Sequence, residues 1–194
     1  MSVFWAKLIW CLGVIGWFAI RYPHDRRSRR TPNRHRSDPV RELLLLTLSA
    51  GGMLFVPALY VATGQPEAAD YAFQPILAWL GAAVFVYALW LFYLTHRELG
   101  RNWSVTLEVR ERHVLVTSGI YSHVRHPMYA AFWLWAVAQA LLLPNWIVGP
   151  AGLFGFGLLF FLRVGREERL MTDTFGDEYR RYMDRTARIV PGIY

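Results

Sequence analysis

Apolar residues recur along this chain in blocks that are hydrophobic all round, without the single apolar stripe of a surface helix. A helix needs about 20 mostly apolar residues to cross a hydrocarbon layer of about 30 Å, and slightly shorter stretches are tolerated. The blocks at about 2–20, 42–62, 76–96, 128–143 and 146–163 meet that requirement, so the pattern predicts about five transmembrane helices. The first resembles a secretory signal in position. It runs into an arginine cluster instead of a small-residue cleavage site, and it is read as a span. Leu143-Pro144-Asn145 is a turn signal between the last two blocks, which therefore form a helical hairpin with both outer ends on one side.

Composition agrees with this pattern. Hydrophobic residues make up 55% of the 194 and aromatics 16%, while the 18% charged residues are confined to a few stretches. Between 42 and 96 there is no Lys or Arg, and the acids are Glu42, Glu67 and Asp70; between 126 and 162 no residue is charged, taking His as neutral. The expected fold is an all-α integral membrane protein, a single domain over residues 1–194. A polar pocket would sit at one end, closed by loop and C-terminal helix.

Charge gives the orientation. Arg21, Arg26, Arg27, Arg29, Arg30, Arg34, Arg36 and Arg41 lie between the first two spans, and further arginines lie at 97–125 and 163–194. Alternation through five spans places all of these on one face, leaving Lys7 alone elsewhere, and the positive-inside rule makes that face cytoplasmic. The opposite loop, Gly64 to Asp70, carries two acids and no base. The net charge of +7 is topogenic first, with anionic lipid as the further expected contact; no aromatic interleaves the run from Arg26 to Arg36, and no nucleic acid partner is expected. The one cysteine, Cys11, lies within a span, so there is no disulfide framework. His123 and His126 are three apart without a third ligand nearby, and no metal is expected. Soluble nucleotide-binding and hydrolase motifs are absent.

The remaining polar residues concentrate in two segments. Asn102 to Glu108 and Val114 to Tyr121 alternate weakly, as a structured loop on the membrane face, and lead to Arg125-His126-Pro127-Met128-Tyr129. Pro127 fixes its own φ and lacks an N–H, so the fourth helix is expected to start there, its free N–H groups suited to an anionic or carbonyl group. The alternative for Arg125 is snorkelling to the interface, and for Tyr129 a place in the aromatic belt. In the second segment Arg163 and Glu167 are four apart on one face of the fifth helix as it leaves the membrane. Such a pair can hold an amino acid moiety, Arg gripping a carboxylate and Glu an ammonium; it can equally be an ordinary ion pair contributing about 0.3–0.5 kcal/mol. After a break at Gly176, Tyr179 and Tyr182 share a face of an amphipathic helix that packs back as a lid.

The run Val114 to Tyr121, then Arg125-His126-Pro127-Met128-Tyr129, then Arg163, Glu167-Glu168, Phe175-Gly176-Asp177-Glu178-Tyr179, Tyr182 and Arg188-Ile189-Val190-Pro191, resembles the isoprenylcysteine carboxyl methyltransferase family. The likeness covers about residues 100–191, and its compact prokaryotic members with five spans are especially similar. It implies S-adenosyl-L-methionine as cofactor, with S-adenosyl-L-homocysteine as product, and methyl ester formation on a lipophilic, isoprenylcysteine-like carboxylate. By the same resemblance His113, Val114, Leu115 and Val116 match the first cofactor-contacting strip, Tyr121 the next contact, and His126, Pro127, Met128 and Tyr129 the third. Glu167 matches the acid that engages the cofactor, and Arg163 the catalytic residue that orients the substrate carboxylate; Glu108 falls near a position that is usually Gln. The chain departs from larger eukaryotic members in its short 64–75 connection and in lacking their extra N-terminal spans.

A carboxylate is already ionised at neutral pH, so such a transfer needs no general base and rests on alignment and desolvation. Phospholipid or amine N-methyl transfer is the alternative, and would make an acceptor such as Glu108 or His126 essential. A sterol-reductase-like enzyme using NADPH shares a similar Arg-His-Pro-x-Tyr segment but normally has many more spans, and a non-enzymatic membrane scaffold would bind no cofactor.

Overall fold

The computed structural model describes residues 1–28, 33–36, 39–100, 108–110 and 115–193, with side chains taken from 1–24, 39–100 and 115–193. Four helical segments are long and apolar enough to cross a membrane: Val3–His24, Pro39–Thr63, Pro75–Leu99 and Val148–Phe175; a shorter apolar helix, Pro127–Leu142, makes the fifth. In chain order the helices are α1 (Val3–Ser28), α2 (Pro39–Ala50), α3 (Val56–Thr63), α4 (Pro75–Leu99), α5 (Pro127–Leu142), α6 (Val148–Phe175) and α7 (Asp177–Arg185). Two short strands, β1 (Asn33–Arg36) and β2 (Glu108–Arg110), pair antiparallel and join the loop after α1 to the loop after α4.

The membrane helices carry apolar residues on both faces because both are covered. Along α1, Ala6, Trp10 and Trp17 turn inward, while Phe4, Trp5, Leu12, Ile15 and Phe18 are exposed where lipid would lie. Gly13 belongs to the inward stripe because a Cβ there would lie 2.2 Å from the Phe85 ring. Trp17, Phe92, Phe85, Trp135, Phe132 and Phe156 continue the core as an aromatic chain through α1, α4, α5 and α6.

A five-residue π-helical turn, Gly51–Phe55, joins α2 to α3. Val56 N–H bonds to Gly51 O, so the carbonyl of Gly52 would need residue 57 as donor, and Pro57 has no N–H. Gln139 of α5 supplies the missing bond: its Nε2 donates to Gly52 O at 3.0 Å and also to Val148 O at 3.0 Å. The same region brings α2 close to α6. A Cβ on Gly52 would lie 2.2 Å from Ala151 O, and one on Gly155 2.7 Å from Leu48 O. Gln139 is fully buried; the bonds of its Nε2 offset part of the cost of a polar group in a membrane interior, while its Oε1 accepts no hydrogen bond among the described residues.

Opposite the polar end, Asn145 closes the α5–α6 turn. Its Oδ1 accepts from Ile147 N and Val148 N at 3.0 and 2.9 Å, capping α6, while its Nδ2 donates to Pro66 O and Asp70 Oδ1 at 2.8 and 2.7 Å. Tyr60 also donates to Asp70 Oδ1, at 2.9 Å. With that end fastened, α5 and α6 run antiparallel from a common origin. The 16 residues of α5 reach about 24 Å and the 28 of α6 about 42 Å, so the last turns of α6 stand beside and beyond the start of α5.

Candidate functional site

The start of α5 and the C-terminal half of α6 meet in a buried charged cluster. Pro127 occupies the first helical position with His126 just ahead of it, and the His126 and Tyr129 rings stack at 5.4 Å and 20°. Arg163 and Glu167 lie one turn apart on α6, and Glu168 is rotated about 100° from Glu167. Tyr129 Oη donates to Glu167 Oε2 at 2.5 Å, and the Phe160 ring packs against the Tyr129 ring at 5.4 Å and 85°. His126 bridges the two acids, with Nδ1 3.6 Å from Glu167 Oε1 and Nε2 3.3 Å from Glu168 Oε1. Burial by itself would lower the His126 pKa, but the bonds and negative charges of Glu167 and Glu168 outweigh it and hold the imidazole above its ordinary value.

The guanidinium of Arg163 lies between two carboxylates. Nε is 4.0 Å from Glu167 Oε2, and Nη1 is 3.5 Å from Oε2 of Glu42, which comes from the first turn of α2. Arg163 and Glu42 are both buried. Glu167 is the accessible member, with 31% of its side chain exposed against 9% for Arg163 and 10% for Glu168. A ligand entering the cluster therefore meets Glu167 first.

Glu168 instead organises the tail. Its Oε1 accepts from Arg125 Nη2 at 3.0 Å and from Arg188 Nε at 3.1 Å, and its Oε2 from Arg188 Nη2 at 2.6 Å. Arg125 also donates to Met183 O at 3.1 Å and to Thr186 O. Backbone bonds from Arg125 N to Ala187 O and from His126 N to Arg188 O lay the tail parallel to residues 124–126. Tyr182 of α7 is buried and donates to Tyr121 O at 2.5 Å; burial raises its own phenol to about 12, and burial first, then Glu167, pushes Tyr121 well above its usual range.

Of the residues expected at the site, His126, Tyr129, Arg163 and Glu167 come together directly. Pro127 is buried at the helix start, and Met128 is half-buried against the core. Tyr121 lies in a single 3₁₀ turn, Gly119–Ser122, that begins at φ +59°; a Cβ on Gly119 would also lie 2.7 Å from the Glu98 carboxylate. Leu115 and Val116 lie half-buried in the irregular segment leading to that turn. His113 and Val114 fall outside the described residues, and Glu108 is described in its backbone alone, within β2. The expected alternative for Arg125, snorkelling to the interface, is not what the structure has: the side chain is tied to Glu168 and the tail. Glu42, Glu168 and Arg188 were not expected at the site. Glu42 had one signal, as an acid at the head of a stretch without Lys or Arg. No group of three or more His, Cys, Asp or Glu side chains that could hold a metal ion occurs among the described residues.

Several apolar helices with a charged cluster at one end define a multi-pass integral membrane protein with a polar site at the bundle end. Residues 79–173, which include Arg125, His126, Tyr129, Arg163, Glu167 and Glu168, match the model of the isoprenylcysteine carboxyl methyltransferase (ICMT) family, so this segment of the chain is similar to that family. Curated proteins similar to it include the protein-S-isoprenylcysteine O-methyltransferases of Dictyostelium discoideum (33% identical over 124 residues, 61% of this chain and 51% of that protein) and Schizosaccharomyces pombe (38% over 100 residues, 50% and 42%). The Homo sapiens protein of the same name is 34% identical over 92 residues, 47% of this chain and 32% of that one. The chain thus spans about half the length, or less, of the curated relatives it matches.

Proposed function

We propose that this protein transfers the methyl group of S-adenosyl-L-methionine to the carboxylate of a lipophilic, isoprenylcysteine-like acceptor, at the cytoplasmic edge of the membrane. The observation that carries the proposal is the set Tyr129, Glu167 and Arg163, packed into one cluster by α5 and α6, with all three residues inside the family-matched segment. The names of the similar proteins support the substrate class.

The residues present suit the cofactor. A partly exposed carboxylate oriented by a tyrosine hydroxyl fits a ligand that carries an ammonium and a sulfonium, and Glu167 has that environment. In this reading Glu167 and Tyr129 hold the cofactor from α6 and α5, with His126, Pro127, Met128 and Tyr121 shaping the wall and Leu115 and Val116, together with His113, Val114 and Glu108, belonging to the strip beside it. The bound cofactor supplies an electrophilic methyl group on sulfur. An acceptor carboxylate oxygen forms the new C–O bond as the methyl C–S bond breaks, and the electron pair stays on sulfur, leaving an ester and a neutral thioether. Arg163 orients the acceptor acid, and the buried setting of the cluster keeps water from competing.

A carboxylate acceptor needs no base, whereas an amine nucleophile must lose a proton to a neighbouring group. The pairing of β1 with β2 supports a single cytoplasmic face, since it joins the two arginine-bearing loops at one end. Anionic lipid headgroups are the natural neighbours of that face.

Calorimetric titration of the detergent-purified protein with S-adenosyl-L-homocysteine tests the cofactor part. Saturable binding that disappears in Glu167→Ala is expected; equal affinity in the variant removes Glu167 from the site.

A further inference from the structure

We propose that Glu42 is a positioning residue that tempers the charge of Arg163, so that the acceptor carboxylate held there stays nucleophilic. The inference rests on the proposed methyl transfer. It concerns a residue on α2, outside the segment matched by the family.

Glu42 Oε2 lies 3.5 Å from Arg163 Nη1, and both residues are buried. That oxygen accepts no hydrogen bond among the described residues, so it faces the guanidinium without other compensation. The separation is held by the close packing of α2 on α6, where a Cβ on Gly155 would strike Leu48 O, and by Arg41 Nη2, which donates to Leu162 O at 2.8 Å. Glu42 and Arg163 are therefore fixed by neighbours on both sides, as an exposed pair would not be.

The acceptor carboxylate is fully charged before transfer and loses that charge as the C–O bond forms and the C–S electron pair remains on sulfur. A strong guanidinium–carboxylate pair consequently stabilises the ground state more than the transition state, and raises the barrier. A second carboxylate already at the guanidinium weakens its grip on the acceptor while keeping its orientation. Glu42 supplies that second carboxylate from a helix other than the one bearing Arg163.

The test compares the full-length protein with Glu42→Gln and Glu42→Asp in vesicles, at saturating S-adenosyl-L-methionine and with N-acetyl-S-farnesyl-L-cysteine varied. Glu42→Gln should lower KM and kcat together, each about tenfold, with kcat/KM within about threefold of the parent and S-adenosyl-L-homocysteine affinity unchanged. Glu42→Asp, which keeps the charge, should retain most of the parent's kcat; if Glu42→Gln does not fold, Glu42→Ala, which also removes the charge, takes its place and should show the same parallel fall of KM and kcat. A fall in kcat/KM with KM unchanged or raised would mean a merely structural role and overturn the proposal, as would kinetics equal to the parent. Failure of the parent to methylate the acceptor overturns the methyl-transfer reading itself, and Glu42's role falls with it; an active parent with unaltered variants overturns Glu42 alone.

Discussion

Arg188 of the C-terminal tail meets Glu168 of α6 at 2.6 Å, and this pair fastens α7 and the tail over the cluster that carries Glu167. Arg125 reaches the same carboxylate from the other side, so one acid joins the loop before α5, α6 and the tail.

Glu168→Gln keeps the shape and removes the charge, leaving two guanidiniums against a neutral amide. Loss of one partner of a buried pair costs about 3–5 kcal/mol. The expected result is a thermal midpoint several degrees lower, with faster hydrogen exchange at the amides of Arg125 and His126, which donate to the tail. Unchanged exchange at those two amides would mean that the backbone pairing holds the tail without Glu168.

Tyr129→Phe removes the hydroxyl that donates to Glu167 and keeps the ring against Phe160. A hydrogen bond to a charged group contributes about 1.5–3 kcal/mol, so affinity for S-adenosyl-L-homocysteine should fall at least about tenfold if that bond orients Glu167 for the ligand. Calorimetry on the folded variant checks this, and parent-like affinity would separate Tyr129 from binding.

The raised pKa of His126 gives stability a definite pH dependence. Its contribution is fully present below the unfolded value of about 6.5 and is lost as pH rises through the folded value, because only the protonated ring pairs with Glu167 and Glu168. Thermal midpoints measured from about pH 5.5 to 9 should therefore decline above about 6.5. His126→Asn should flatten that decline; a slope shared by parent and variant would assign it to other groups.

Helix packing offers a paired test at two glycines. Gly155→Ala would push a methyl group to within 2.7 Å of Leu48 O, whereas a Cβ on Gly51 meets nothing within 4 Å. Overpacking of this kind costs about 1–3 kcal/mol, so Gly155→Ala should lower the unfolding midpoint and Gly51→Ala should not. Equal effects would mean that α2 and α6 separate more easily than their contact implies.

Much of this fold is legible in the residue pattern, because a membrane span is set by apolar length alone. The block at 76–96 becomes α4 (Pro75–Leu99), α5 begins at Pro127, and the turn at 143–145 separates the hairpin. The first block was expected to end near 20, but α1 runs on to Ser28. Apolar runs mark what lipid covers, and a helix can continue beyond that point with polar residues. The π-helical turn at 51–55 left no signal, since it depends on Pro57 and on a side chain from α5.

In the site, Arg163 and Glu167 were legible through their four-residue spacing, a local relation on one helix. Arg125 with Glu168, and Arg163 with Glu42, were not, because each pair is made by helices that meet only after the bundle forms. The resemblance drew attention to Glu168 and Arg188 as motif residues without giving either a partner.

The most direct measurement is transfer of the radiolabelled methyl group of S-adenosyl-L-methionine to N-acetyl-S-farnesyl-L-cysteine by the purified protein in lipid vesicles, with product released by mild base counted as methyl ester. Base-labile product that requires the free carboxylate and is lost in Arg163→Ala is expected. Protein that binds S-adenosyl-L-homocysteine yet forms no ester on this acceptor, or Arg163→Ala that transfers as well as the parent, would contradict methyl transfer to a carboxylate held by Arg163.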